Sequence, residues 1–260
     1  MTRHHLSIFT NLAIKTIWVL LLVGCCTSIA SSQSPTVDQV IAGNEAAVGG
    51  QDVLKQIEEI RLTASATFGS DTAERSVVIT MKRPNLMHTV TTSTTGKVVS
   101  GFDGTTAWAV DPQTGGAAPL VLEQSTASSL SSPQMDSTLG YLRAMVAGQT
   151  IQMIGNDEVN GSKVYHLRAK WSDGNAFDYY IDQNTFMIAK TSTQIQQAGA
   201  VQLIESYPTK YRKLNGVTLP YSLDVRVAGQ SVFEMQIQQV ELNPAIDAGL
   251  FNMPQPSGGK

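Results

Sequence analysis

Apolar positions first recur at helical spacing. Val37, Val40, Ile41 and Asn44, with Ala47 and Val48, share a face, which predicts a helix that Gly49-Gly50 ends or kinks. Leu54 and Ile57 predict one further turn. From Ile60 the period falls to two: Val77, Ile79 and Met81 alternate with Ser76, Val78 and Thr80, the pattern of a strand. Strands are predicted near 60–68, 74–83, 86–94, 97–102 and 106–110. A Gly/Pro loop (112–119) and a Ser-rich stretch (123–133) follow. Leu139, Leu142, Met145 and Val146 then make one helical stripe, a predicted helix over 139–147 ended by Gly148. Strands resume at about 151–156, 163–171, 176–182, 186–196, 200–207, 209–214, 218–227 and 231–242.

Turn chemistry separates these strands. Asn160-Gly161, Asp173-Gly174-Asn175, Asn215-Gly216 and Gly229-Gln230 are hairpin signals. Phe233, Met235 and Ile237 share a face, whereas Val240 and Leu242 switch parity, which predicts a bulge near Gln238-Gln239. Many antiparallel strands with one helix before them and one inserted predict a mainly β fold. The expectation is a strongly curved antiparallel sheet forming an open, unclosed β-barrel. The N-terminal helix and the inserted lid helix would cover its concave face.

The N-terminus reads as a targeting segment. Arg3, His4, His5 and Lys15 precede the apolar run Ile17–Gly24, which is far shorter than the roughly 20 residues of a bilayer span. Residues 1–30 are thus expected to be a signal peptide. Leu22-Val23-Gly24-Cys25 resembles the lipobox of bacterial lipoproteins and would leave Cys25 lipidated. Ser28-Ile29-Ala30 is a small-x-small site whose cleavage would release a free protein. Residues 31–35 then form a tether, 36–254 a single domain and 255–260 a tail.

Composition narrows the function classes. Of 260 residues, 15% are charged and the net charge is −3, the opposite of the basic stripe that nucleic-acid binding needs. Both cysteines, Cys25 and Cys26, lie in the leader, so the domain holds no disulfide, thiolate metal site or cysteine nucleophile. His88 and His166 are its only histidines and stand alone on strand patterns, where a structural role is the simpler reading. Asp178 and Asp182 flank Tyr180, and a solvated strand face explains them better than an acid/base pair. No metal-ligand spacing, nucleophile elbow or phosphate loop is present. The expectation is a protein without enzymatic activity, metal or cofactor.

Four segments carry a family resemblance. Lys82-Arg83-Pro84-Asn85-Leu86 is followed by Phe102-Asp103-Gly104-Thr105-Thr106-Ala107-Trp108, and later by Tyr211–Pro220 and Leu250-Phe251-Asn252-Met253-Pro254. In this order they resemble the periplasmic carriers and receptors of outer-membrane lipoproteins, the LolA/LolB-like fold. The resemblance implies an exported, periplasmic protein, free or membrane-anchored through Cys25. It implies binding of lipoprotein acyl chains or lipid, as a carrier or acceptor in lipoprotein sorting. It also implies that Arg83 is a latch, holding the lid closed through hydrogen bonds to lid backbone carbonyls. Trp108 would line the cavity entrance or the core. An alternative within the same fold is a lipid-anchored envelope sensor or scaffold, with envelope membrane proteins as partners. A monomer is expected in either case.

Physical chemistry places the groove. Met81, Met87, Met145, Met153, Met187 and Met235 fall in or beside apolar patterns, and thioethers suit a surface that accommodates varied chains. The expected acyl-binding residues are Val77, Ile79, Met81, Leu142, Met145, Leu223, Phe233 and Met235. The leader has its own test, mass spectrometry of the protein from its native cell. The expected N-terminus is an acylated Cys25 or Ser31; an unprocessed Met1 would refute export.

Overall fold

The structure, a computed structural model, describes residues 34–112, 118–123, 134–171, 174–197 and 200–255. The expected leader with Cys25, most of the tether, most of the Ser-rich stretch and nearly all of the tail lie outside these residues. From Pro35 onward the chain forms one compact unit.

Helix α1 (Val37–Val48) starts on Thr36 in a capping box. Gln39 N donates to Thr36 Oγ1 at 3.2 Å, and Thr36 N donates back to Gln39 Oε1 at 2.8 Å, which satisfies two end donors at once. Gly49, at φ 138°, ends the helix, and Gly50 N returns to Glu45 O at 2.8 Å. A single turn follows, α2 (Gln51–Leu54).

Six strands then run as a meander: β1 (Glu59–Phe68), β2 (Asp71–Lys82), β3 (Leu86–Ser93), β4 (Gly96–Phe102), β5 (Ala107–Val110) and β6 (Leu120–Val121). After α3 (Gln134–Thr138) and α4 (Leu142–Met145) comes a second meander. It comprises β7 (Thr150–Val159), β8 (Ser162–Lys170), β9 (Ala176–Asp182), β10 (Ile188–Gln197) and β11 (Ala200–Thr209). A detached hairpin, β12 (Arg212–Leu214) and β13 (Val217–Leu219), precedes β14 (Ser222–Val227) and β15 (Gln230–Leu242). Because β15 pairs with β1, the two meanders fuse into one 13-stranded antiparallel sheet, ordered β6-β5-β4-β3-β2-β1-β15-β14-β11-β10-β9-β8-β7. Among the described residues no pairing joins β6 to β7, so the barrel is open.

The bulge stands where the parity switch puts it. Thr63 faces Gln239 and Ala64 faces Ile237, so Gln238 is the extra residue. Asn160-Gly161 and Asn215-Gly216 both have positive φ, as a tight right-twisted hairpin requires. The last hairpin turns one residue earlier than expected, at Ala228-Gly229, because Val227 pairs with Gln230.

Two expectations need correction. The 139–147 helix is two short helices broken at Gly140. Gly140, at φ 64°, sends its N–H to Ser137 O, while Tyr141 N reaches Asp136 O. Those are the two bonds of a Schellman stop, which glycine makes without steric cost. The predicted strands at 209–214 and 218–227 resolve into the β12–β13 hairpin and β14. Lys210 at φ 54° ends β11, and Tyr221 N bonds Thr209 O across the excursion.

The helices cover one sheet face. Val48, Leu54, Ile57, Met135 and Leu139 pack on Ile60, Leu62, Ala64 and Met235 in one core cluster. Val40 and Ile41 of α1, with Leu142 and Val146, pack on Leu167, Tyr179, Ile181 and Ile188 in a second. Each such aliphatic side chain contributes about 1.5–3 kcal/mol when fully buried. On the opposite face Trp108 lies over Gly101, where a Cβ would come within 2.4 Å of the indole. Its Nε1 donates to Phe251 O of a closing 3-10 turn (Ala248–Phe251) at 3.0 Å. Trp108 is therefore core, on the side away from the helices.

Asn44 is fully buried and joins three elements. Its Nδ2 donates to Phe186 O at 3.0 Å, and its Oδ1 accepts from Leu142 N at 2.9 Å. Asn44→Ala strips both groups of their partner and should cost about 3 kcal/mol, read as a lower urea midpoint. An unchanged midpoint would mean that water replaces the amide freely.

Candidate functional site

The uncovered part of the helix-facing sheet surface forms a cavity of about 290 Å³. Its floor is set by strand register. Thr191 of β10 faces Ser206 of β11, which faces Val225 of β14, which faces Phe233 of β15. One row over, Pro208 faces Leu223 and Leu223 faces Met235. Ile79 and Met81 of β2 with Met87 of β3 make the opposite wall. Gln134, Ser137 and Thr138 of α3, with Gly140 and Met145, form the roof. Tyr211 and Pro220, from the excursion around β12–β13, close one side. Among the described residues none that lines it is charged.

Six of the eight expected groove residues meet here: Ile79, Met81, Met145, Leu223, Phe233 and Met235. The other two do not line the cavity. Val77 is buried beside Ala64 in the first core cluster. Leu142 is fully buried against α1 in the second. Alternation put Val77 on the correct face, but core packing buries it there instead of leaving it as lining. The Gly140 break rotates Leu142 away from the stripe it shares in sequence with Met145.

Arg83 does hold the roof, though not through the partners the resemblance implies. Its Nη2 and Nη1 donate to Asp136 Oδ1 at 2.7 Å and Oδ2 at 3.0 Å, a bidentate pair with a carboxylate on α3. Its Nε donates to Ile57 O at 2.8 Å, in the link between α2 and β1. Lid backbone carbonyls are thus not the acceptors. The Asp136 side chain is only 7% exposed, so the pair is largely shielded from water. The same bond raises the Arg83 pKa above its ordinary value against the opposing effect of burial. The fork geometry of arginine suits such a carboxylate, and lysine could not replace it.

A second set of polar contacts ties α4 to α1. Tyr141 Oη donates to Glu45 Oε2 at 2.9 Å and Arg143 Nε donates to the same oxygen at 2.6 Å. Burial and the Glu45 bond push the Tyr141 phenol up to about 12. Asn44, Glu45 and Asp136 escape a reading of the sequence, because their partners lie from 53 to 142 residues away. Asn44 alone leaves a signal, a polar residue on the apolar face of α1.

The other candidates have structural roles. His166 stacks on Tyr180 at 4.4 Å between ring centroids, with Nε2 3.2 Å from Asp178 Oδ1. Burial raises the Asp178 pKa, but Arg168, at 2.6 and 2.8 Å, and His166 outweigh it and hold the group below the ordinary carboxylate range. Asp182 accepts from Asn184 N and Thr185 N and stabilises a turn. His88 lies 6.0 Å from the Trp108 ring. Among the described residues no cluster of three or more His, Cys, Asp or Glu is placed to hold a metal. No described helix is long and apolar enough to cross a membrane.

No family model matches the chain. No curated protein matches it by sequence. Solved structures do match it in fold. A LolA superfamily protein from Nitrosomonas europaea aligns with TM-score 0.55 and 13% identity over 84% of this chain and 98% of that one. An outer membrane lipoprotein-sorting protein domain from Vibrio parahaemolyticus aligns with TM-score 0.54 and 8% identity over 82% and 94%. A DUF1329 family protein from Desulfovibrio piger gives 0.55 and 10% over 83% and 97%. The chain has the LolA-like fold.

The Arg83–Asp136 pair has a measurable signature. Arg83→Leu leaves a buried carboxylate unpaired and should cost about 3 kcal/mol, most of which Asp136→Leu should restore in the double variant. Urea unfolding of the four proteins closes the cycle. Additive losses would show that the two side chains do not depend on one another.

Proposed function

We propose that this protein binds lipoprotein acyl chains or lipids without catalysing a reaction, as a periplasm-facing carrier or acceptor in lipoprotein sorting. The observation that carries the reading is the uncharged cavity between the sheet and α3–α4. Acyl chains need no charged partner; each buried methylene contributes about 0.8 kcal/mol, so one chain offsets the ordering that binding costs. Ile79, Met81, Met145, Leu223, Phe233 and Met235 would contact the chain, with Val77 and Leu142 as packing behind them. The likeness in fold to a lipoprotein-sorting domain supports the same class of ligand.

In this reading the Arg83–Asp136 pair is the latch. Asp136 points toward Arg83 while its neighbours Ser137 and Thr138 line the cavity. A chain too large for the closed cavity would have to break that pair to lift α3. Export, and either release after Ala30 or an anchor at Cys25, complete the reading. The protein would act as a monomer.

The test is native mass spectrometry of protein purified without detergent, with an apolar fluorophore as a second probe. Co-purifying acyl lipid is expected, displaced by the fluorophore. Met235→Asp places a carboxylate in the floor and should abolish binding, since an unpaired charge there costs several kcal/mol; Met235→Leu should retain it. Wild-type protein that carries no lipid and binds no apolar probe would end this reading.

A further inference from the structure

The cavity is limited in size, and its floor carries a pair of opposed hydroxyls. At about 290 Å³ it is twice the roughly 150 Å³ that holds a six-carbon benzene ring, so the closed form has room for about twelve carbon atoms. That is one medium acyl chain, not two or three.

Polar side chains line both the roof, at Gln134, Ser137 and Thr138, and the sheet, at Thr191 and Ser206. Thr191 and Ser206 are directly opposed on β10 and β11, both on the helix-facing side of the sheet. Opposed residues on neighbouring antiparallel strands hold their Cβ atoms about 5 Å apart, so one acceptor atom can reach both hydroxyls. Among the described residues neither hydroxyl is engaged in a side-chain hydrogen bond. Three polar neighbours already have partners: Tyr211 Oη donates to Ile188 O at 2.9 Å, Thr138 Oγ1 to Met81 Sδ at 3.7 Å, and Ser222 Oγ accepts from Gln236 Nε2 at 2.7 Å. The β2–β3 wall opposite carries Ile79, Met81 and Met87.

We infer that the closed cavity selects a single acyl chain bearing an uncharged ester or amide carbonyl, which Thr191 and Ser206 bind while the chain runs toward β2 and β3. This deepens the acyl-binding reading and rests on it. An ionised carboxylate is disfavoured: the lining offers it no cation, and a buried charge without a partner is expensive. A carbonyl asks only for donors, and two hydroxyls supply them. Acyl chains attached to glycerol or to a lipoprotein terminus end in such carbonyls, whereas free fatty acids do not.

The experiment is displacement of N-phenyl-1-naphthylamine, a neutral apolar fluorophore without a carbonyl, from the mature chain at pH 8. Competitors are 1-monolauroylglycerol, laurate and 1,2-dilauroylglycerol, each below its aggregation concentration. The monoacyl ester should compete at least about tenfold better than the laurate anion, the scale of one lost polar interaction. It should also compete better than the diacyl ester. In the Thr191→Val/Ser206→Ala variant the monoacyl ester should lose about tenfold in affinity relative to the fluorophore measured on the same variant. Laurate or the diacyl ester competing equally well would overturn this inference and leave acyl binding standing, as would an unaffected double variant. A wild-type protein that binds neither fluorophore nor lipid would overturn both.

Discussion

The match between a wide sheet and the helices that cover it is the constraint behind this structure. Thirteen strands at about 4.8 Å span roughly 58 Å across the hydrogen-bonding direction, whereas the 12 residues of α1 extend about 18 Å. Among the described residues the other α-helices, α2, α3 and α4, are single turns. Curling the sheet brings more of its apolar face under those helices, and the Gln238 bulge serves that curvature. What curling cannot cover remains as the cavity. Its position follows from chain order: α3 and α4 lie between the two meanders, so they rest where β15 joins the meanders through β1.

The helical cover is fastened differently at its two ends. Apolar packing under α1 is non-directional and would tolerate sliding. The roof instead hangs on bonds of fixed geometry: Asn44 to Leu142 N, Glu45 to Tyr141 and Arg143, and Asp136 to Arg83. Such contacts are made or broken rather than stretched, which is how a packed element acquires two discrete positions. The Asp136–Arg83 pair, the Thr138–Met81 contact and the buried Met135 tie α3 to the sheet, and α4 is tied to α1 by several bonds.

Much of this was legible in the sequence because local rules agree with the final fold. Period-two runs gave the strands, Asn-Gly pairs gave the tight turns, and the parity switch in β15 gave the bulge. The cavity face was legible for the same reason, since alternation alone assigns Ile79, Met81, Leu223, Phe233 and Met235 to one side. The roof was not. A helical stripe reads straight through Gly140, and only the bonds returning to Ser137 and Asp136 show that the helix stops there. Nor does any local pattern pair Arg83 with Asp136. The motif resemblance pointed to Arg83 but named the wrong acceptor, because a carboxylate on α3 takes the place of lid carbonyls. Whether a given apolar residue lines a cavity or packs behind it depends on helix length and tilt, which no period in the sequence records.

The cavity itself argues for a ligand. A space of about 290 Å³ beside the core is room that side chains could fill, and unfilled volume forfeits packing contacts. Larger side chains would recover part of that at little cost in backbone. Thr191 and Ser206 occupy floor positions where leucine or valine would fit the strand equally well, and Met81, Met87 and Met235 are flexible where isoleucine would pack more rigidly. A chain selected only for stability would close this space. On the proposed acyl-binding reading, a chain entering this space would supply those contacts, and binding to the folded state alone would stabilise that state by mass action. Stability and occupancy would then be linked, the filled form being the better packed of the two.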